Sequence, residues 1–517
     1  MKKLIIILIY VISFNTLQAQ HIQNTKADYQ WLMGYHYNLD WRDWHFDFNK
    51  KPMQYLLRYK TLAGDLMTAN VCDKSGGLAF YTNGCKIADG QDAIIQGGDT
   101  LNAGYGYNAR CKTDGFGYAS SQGAIILPSL TDDTSFYAFH LRIDYAFDSR
   151  IGGIGTDKLL MSKIIKAKGK YKVNFRDYTL LYYQRDSAFM DGQLTACRHA
   201  NGRDWWIIMP KLFENAYHIL LFTPYGIEKK VQKIGAFRIL AESGGGMAVF
   251  SPDGQKYIEY GGLSGAKIYD FNRCSGELSN YRNIDSNPNG QTFAGCVVSS
   301  NSRFLYLAYR STLSQFDLWS DSIQSTKYIF KVDSTVVDTT QGLPLYTLFW
   351  TCQLGADGKI YIASTGGRKY MHVIDKPDLK GAACELKQNG ITLPVYITWA
   401  IPFFPNFRLG PLKGSPCDTL STTPMQEINK IRQLSIYPNP AQELIKVDMT
   451  LDDYGELEKC QLRVVDIVGK VHQTHPLSNY ASIKEISVAN LANGLYFVQL
   501  VDKQGFLIAN SKVVVAR

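Results

Sequence analysis

The densest group of side chains that could do chemistry is His199, Arg203, Asp204, Trp205 and Trp206. A histidine and a carboxylate beside paired indoles are the parts of a general base with a sugar-stacking platform. The same string also reads as a hairpin. Asn201-Gly202 is a turn dipeptide, and a strand beginning at Trp205 would send one indole to the core and the next to the opposite face. On that reading Arg203 and Asp204 tie the loop to neighbouring backbone, and no catalytic residue is assigned. His36 and His45 flank Trp41–Phe48, where two histidines and two aspartates could hold a metal, but no spacing fixes their geometry. The nine histidines include no H-E-x-x-H and no pair four apart. Gly262-Leu263-Ser264-Gly265 is followed by Ala266, so the second glycine of a nucleophile elbow is missing. Asp253-Gly254 and Asp357-Gly358 offer oxygens suited to a structural calcium, yet Asp-Gly is first of all a turn. No cofactor is expected.

These groups need elements to position them, and the elements repeat. Gly246–Tyr257, Gly295–Ala308 and Cys352–Ala363 each read as strand, tight polar turn and aromatic-bearing strand, with turns near 253, 302 and 357. That spacing of about 50 residues is typical of propeller blades. Val71–Gly84, Ile125–Phe139 and His199–Met209 are further hairpins of this kind, and no convincing amphipathic helix interrupts them. The expectation is an all-β chain: a β-propeller of about seven blades over residues 21–410, because a ring of blades disposes of exposed sheet edges. The 33 Tyr, 25 Phe and 8 Trp would mostly fill its sheet-on-sheet core. A polar linker over 411–433, with Gly414, Pro416 and Pro424, leads to a small sandwich over 434–517.

Ten cysteines in a chain bound for an oxidising compartment suggest disulfides. Cys72 and Cys85 flank one hairpin, and Cys274 and Cys296 stand 22 residues apart at comparable strand positions. These two pairs are the expected bridges. The formal charge of +9 is scattered, with no basic stripe interleaved with aromatics, which argues against nucleic acid. Lys2 and Lys3 precede an apolar run, Leu4–Phe14, and Leu17-Gln18-Ala19 makes a cleavage site. Eleven apolar residues fall short of the ~20 that span a bilayer, so residues 1–19 read as a signal peptide and the remainder as free of membrane-spanning segments.

The last stretch opens with L-S-I-Y-P-N-P-A (Leu434–Ala441), continues through Leu462–Val471 and Leu491–Leu500, and ends in Ser511–Val515. It resembles the type A C-terminal sorting domain of the type IX secretion system of Bacteroidetes. The resemblance implies a sorting signal carried by Tyr437, Pro438, Asn439, Pro440, Gly469, Gly494 and Tyr496. It also implies two partners, the secretion translocon and a sortase-like protease that removes the tail. The body strings S-P-D-G-Q-K-Y and G-A-D-G-K-I-Y-I-A, with L-A-F-Y-T-N-G and R-H-A-N-G-R-D-W-W, resemble WD40-like/YVTN-type propellers of secreted Bacteroidetes proteins. Two functions stay open for the body. A non-catalytic module binding an unidentified protein or glycan at or beyond the cell surface is favoured, and a propeller-scaffold hydrolase or lyase acting on extracellular glycans is the alternative.

Overall fold

The computed structural model describes residues 24–33, 42–64, 66–112, 117–118, 120–145, 154–183, 188–238, 245–286, 294–333, 337–338, 345–364, 368–397, 401–418, 434–448, 460–467, 469–477, 483–502 and 507–517. Strands dominate. The first sheet holds β1 (Gln30–Met33), β2 (Arg42–Asp47) and β3 (Gln54–Tyr59), and the second β4 (Ala69–Cys72), β5 (Leu78–Thr82) and β6 (Ile87–Asp89). The third comprises β7 (Ala124–Pro128), β8 (Ser135–Tyr145), β9 (Ile154–Ala167) and β10 (Lys170–Tyr182). The fourth comprises β11 (Thr195–Arg198), β12 (Trp205–Pro210), β13 (Ala216–Thr223) and β14 (Gly226–Lys233). The fifth comprises β15 (Met247–Phe250), β16 (Lys256–Gly261), β17 (Gly265–Asn272) and β18 (Glu277–Ile284). The sixth comprises β19 (Gly295–Val298), β20 (Phe304–Tyr309), β21 (Thr312–Asp317) and β22 (Tyr328–Lys331). After a two-stranded ladder of β23 (Val337–Asp338) and β24 (Leu345–Tyr346), the seventh holds β25 (Cys352–Leu354), β26 (Ile360–Ile362), β27 (Arg368–Ile374) and β28 (Leu386–Ile397). Each of these sheets is an antiparallel meander.

Burial explains the order of residues within a sheet. The second strand of the fourth sheet, W-W-I-I-M-P, is buried at all six positions because neighbouring sheets cover both of its faces. Its outermost strand, G-I-E-K-K-V-Q-K, lies at the rim and is mostly polar. One core joins the second, third and fourth sheets, another joins the first, fifth, sixth and seventh, and two smaller cores lie between the fourth and fifth and between the sixth and seventh. First strands are neighbours in the pairs β1/β4, β4/β7, β11/β15, β15/β19 and β19/β25, and β2 lies beside β28. The sheets therefore close into a ring, and the body is propeller-like. Closure is aromatic: Tyr361 of the last sheet lies 5.5 Å from Trp31 and 5.0 Å from Phe46 of the first, contacts worth ~1 kcal/mol each beyond their buried area.

The six hairpins legible in the sequence are the first hairpins of the second to seventh sheets. Adjacent ones run parallel, with Cys296 beside Met247 and Ser302 beside Asp253. The first sheet runs the other way. Leu32 meets Asn70, Gln30 meets Asn70 and Cys72, and Ala27 meets Cys72, so β1 is antiparallel to β4. One helix, α1 (Tyr105–Arg110), falls in the connection between the second and third sheets, where only β-structure was expected.

Two corrections concern covalent ties. Cys85 is bonded to Cys111 and Cys274 to Cys417, each pair with 5.6 Å between Cα atoms, whereas Cys72 and Cys296 are buried thiols. Cys72 pairs across the ladder with Leu78, while Cys85 follows Thr82 at the far end of that hairpin, opposite Ala69. Cys296 lies on an innermost strand and Cys274 in the outer turn between β17 and β18, so equal strand numbering hid unequal distances from the ring centre. The expected linker also begins later than Pro411. Leu412 N–H donates to Ala200 O at 2.8 Å and Cys417 is bonded to the body. Residues 419–433 lie outside the described set.

The tail packs two sheets face to face. One contains β29 (Ser435–Tyr437), β30 (Leu444–Asp448) and β33 (Ile483–Ser487), and the other β31 (Cys460–Asp466), β32 (Val471–Pro476), β34 (Gly494–Asp502) and β35 (Leu507–Val515). Tyr496, Val498 and Leu500, alternate residues of one strand, enter a core with Ile445, Val447, Leu462 and Val464. This is the expected small sandwich.

Candidate functional site

Residues 401–417 form a strap over the ends of the first hairpins. Phe404 packs 6.0 Å from Trp31 and Phe407 5.8 Å from Trp205. Asn406 Nδ2 donates to Pro252 O at 2.8 Å, and Arg273 Nη2 donates to Gly410 O at 2.6 Å. Arg408 forms a two-pronged ion pair with Asp28, at 2.6 and 2.8 Å. The strap thus touches the first, fourth, fifth and seventh sheets and is locked at its end by Cys274–Cys417. Two glycines allow this closeness. Gly202 (φ +75°) lies where a Cβ would stand 2.7 Å from Pro411, and Gly254 (φ +73°) where it would stand 2.8 Å from Arg273 and Cys197. Both conformations suit glycine alone.

Beneath the strap lies a cavity of about 260 Å³, bounded by β11, β15, β19 and β25 and roofed by Phe403–Leu409. Its polar lining includes Thr195, Arg198, Gln353, Asn406 and the Asp28–Arg408 pair. Arg198 is buried and stacks on Trp205, its guanidinium carbon 4.0 Å from the ring centroid. Its Nη1 donates to Arg203 O, and its buried Nε has no acceptor among the described residues. Burial pulls its pKa down to about 9, with Asp204 opposing. Nothing in the sequence singled out Arg198 or the strap. The available signal was P-F-F-P-N-F-R, an aromatic run broken by prolines that cannot continue a strand.

The first sequence cluster lies directly under this strap, and its polar groups serve the hairpin. Asp204 pairs with Arg203 at 2.6 and 3.1 Å and accepts from Asn201 Nδ2 at 2.8 Å. Asn201 Oδ1 accepts from the N–H groups of Arg203 and Asp204. His199 uses Nδ1 for Asn201 N–H and Nε2 against Cys274 O at 3.0 Å. The two indoles do face opposite ways, but both are core. Trp205 joins the third-sheet side, while Trp206 joins the fifth-sheet side and donates to Arg273 O at 2.7 Å.

The calcium candidates are occupied as turns. Asp253 accepts from Ser251 Oγ and Gln255 N–H, and Asp357 from Lys359 N–H and the Tyr361 hydroxyl. Among the described residues no three His, Cys, Asp or Glu side chains cluster as metal ligands. His36 lies outside those residues, and burial, aided by Arg58, lowers the pKa of His45 to about 4.

The residues expected to carry the sorting signal gather at the entry of the tail and at strand ends. Tyr437 closes β29 and is exposed, and Pro438 and Pro440 follow cis peptide bonds. Between them Asn439 donates to Lys512 O and accepts from Val514 N–H, fastening the entry turn to the final strand. Gly469 sits at φ +85° in the turn after β31, Gly494 opens β34, and the buried Tyr496 donates its hydroxyl to Ala492 O at 3.1 Å.

Residues 435–516 match the family described as Secretion system C-terminal sorting domain. No curated protein matches the chain. Solved structures with similar folds include a putative 6-phosphogluconolactonase from Bacteroides fragilis at 11% identity and TM-score 0.42, over 73% of this chain and 99% of that one. A functionally unknown protein from Desulfotomaculum acetoxidans has 14% identity and TM-score 0.39 over the same shares. PorZ, a surface component of the type IX secretion system of Porphyromonas gingivalis, has 12% identity and TM-score 0.29 over 93% of this chain and 65% of its own. At such values none of the three bears on activity. Among the described residues no helix is long and apolar enough to cross a membrane. The tail is a type IX sorting domain, and it directs the chain to the cell surface or beyond through the type IX machinery.

Proposed function

We propose that the body is a non-catalytic binding module for a protein or glycan, delivered outside the cell by its tail, which a sortase-like protease then removes. One observation carries the binding half. Among the described residues a single carboxylate, Asp28, lines the cavity, and Arg408 holds both of its oxygens. A glycosidase needs two carboxylates about 5–10 Å apart across its substrate. The acid–base candidates beside the cavity, His199 and Asp204, are engaged in their own hairpin. A glycan array and a pull-down from culture medium, both with purified full-length protein, test the proposal. Saturable retention of a ligand without change to it is expected, and turnover of a retained glycan would overturn the proposal in favour of an enzyme.

A further inference from the structure

We infer that the cavity under the strap binds a small carboxylate of monosaccharide size, a uronic acid, with Arg198 as its counter-ion. The inference rests on the binding-module proposal and names the ligand class of that site.

The charges around the cavity do not balance. Asp28 is committed to Arg408 and Asp204 to Arg203. Two further guanidiniums, those of Arg198 and Arg273, are buried and donate only to backbone oxygens. Arg273 donates to three carbonyls, those of Arg198, His199 and Gly410, and has a structural task in holding the strap. Arg198 is not saturated. One carbonyl occupies Nη1, and among the described residues Nε has no acceptor. The Nε edge of a guanidinium is the fork that matches a carboxylate with two parallel hydrogen bonds. A buried cation left without such a partner is costly to the fold, so an anion in the cavity would relieve a cost that the protein alone carries. The Trp205 ring under Arg198 fixes the plane of the fork.

The remaining lining selects the body of the ligand. Thr195 and the Gln353 amide, which makes only long bonds of 3.3–3.5 Å, both line the cavity and can serve hydroxyl groups. Phe250 and Phe403 supply apolar surface for the face of a ring. At about 260 Å³ the cavity lies just below the ~300–1,000 Å³ of drug-sized sites. It therefore suits one sugar unit, free or at the end of a chain.

Calorimetric titration of the full-length protein with glucuronate, galacturonate, glucose and inorganic phosphate tests this. Saturable binding of one or both uronates is expected, with none for glucose and weaker binding of phosphate. Arg198→Met should weaken uronate binding by about 100-fold and Arg198→Lys by about 10-fold, since lysine keeps the charge without the fork. Arg198→Met should also melt no lower than the wild type in the absence of ligand, because it removes a buried charge without a partner. Equal affinity for glucose and uronates, failure of both uronates to bind, or unchanged affinity in Arg198→Met would each overturn the site. Should the methionine variant not fold, the wild-type ligand series and the lysine variant decide the matter. A glycan or protein retained equally by wild type and Arg198→Met would leave the binding-module proposal standing while removing this site.

Discussion

The tail and the body of this chain use sequence in opposite ways. In the tail, one continuous stretch, residues 435–516, carries the family match, and one sandwich core that includes the alternating Tyr496, Val498 and Leu500 holds it together. In the body, the cavity is assembled from Asp28, Arg198, Gln353 and Arg408, which span 380 positions of the chain and meet only because the ring closes. A local signal can be recognised from a string of letters, whereas a convergent site becomes visible only when the sheets are placed.

The largest effect that could break this comparison is on export. Deleting residues 434–517 should leave the protein in the periplasm, read by fractionation and immunoblot. Normal accumulation outside the cell would mean that the body carries its own address. Next comes the strap. Cys417→Ser removes a closure spanning 143 residues, worth up to about 5 kcal/mol in the chain-entropy model. It should lower the melting temperature of the body and leave export intact, and an unchanged melting curve would remove the strap from the account. Asp204→Ala is smaller, about 3 kcal/mol, the cost of stripping a mostly buried pair and the bond to Asn201. Binding by protein that remains folded should persist. Retained stability with abolished turnover of a glycan would instead make Asp204 a catalytic group.

The smallest effect is on pH dependence. Burial raises the pKa of Asp191 to about 6, against opposing bonds from Ser120 Oγ and Gly192 N–H. The folded protein therefore binds this proton more tightly than the unfolded chain, and stability falls as pH rises from about 4 to about 6. Asp191→Asn should be more stable than wild type by roughly 1–3 kcal/mol at pH 7–8, with the gap closing below about pH 4. A constant gap across that range would contradict the assignment.

How much the sequence revealed follows the same division. The turns at Asp253, Ser302 and Asp357 were legible because each inner hairpin needs a tight reversal at the same place in its sheet, and six of seven first hairpins could be found this way. The first sheet escaped because it runs against the others and lacks that motif. The disulfides were misjudged because spacing along the chain does not give distance from the ring centre. Cys296 on an inner strand cannot reach Cys274 in an outer turn, while Cys417 is brought there by the strap. Arg203 and Asp204 were correctly set in a hairpin, since Asn-Gly turns recruit neighbouring polar groups. Arg198, three positions before that same turn, gave no signal, because a buried arginine looks in sequence like any other.

The division of labour between tail and body is tested most directly by transplantation. Residues 419–517 can be fused behind a periplasmic reporter that has its own signal peptide, in a bacterium that carries the type IX machinery, with the location of the reporter measured by fractionation. The account predicts a reporter at the cell surface or in the medium, and the same fusion with Tyr437–Pro440 replaced by alanines kept in the periplasm. A reporter that stays periplasmic with the intact tail, while the full-length protein is exported normally, would contradict it.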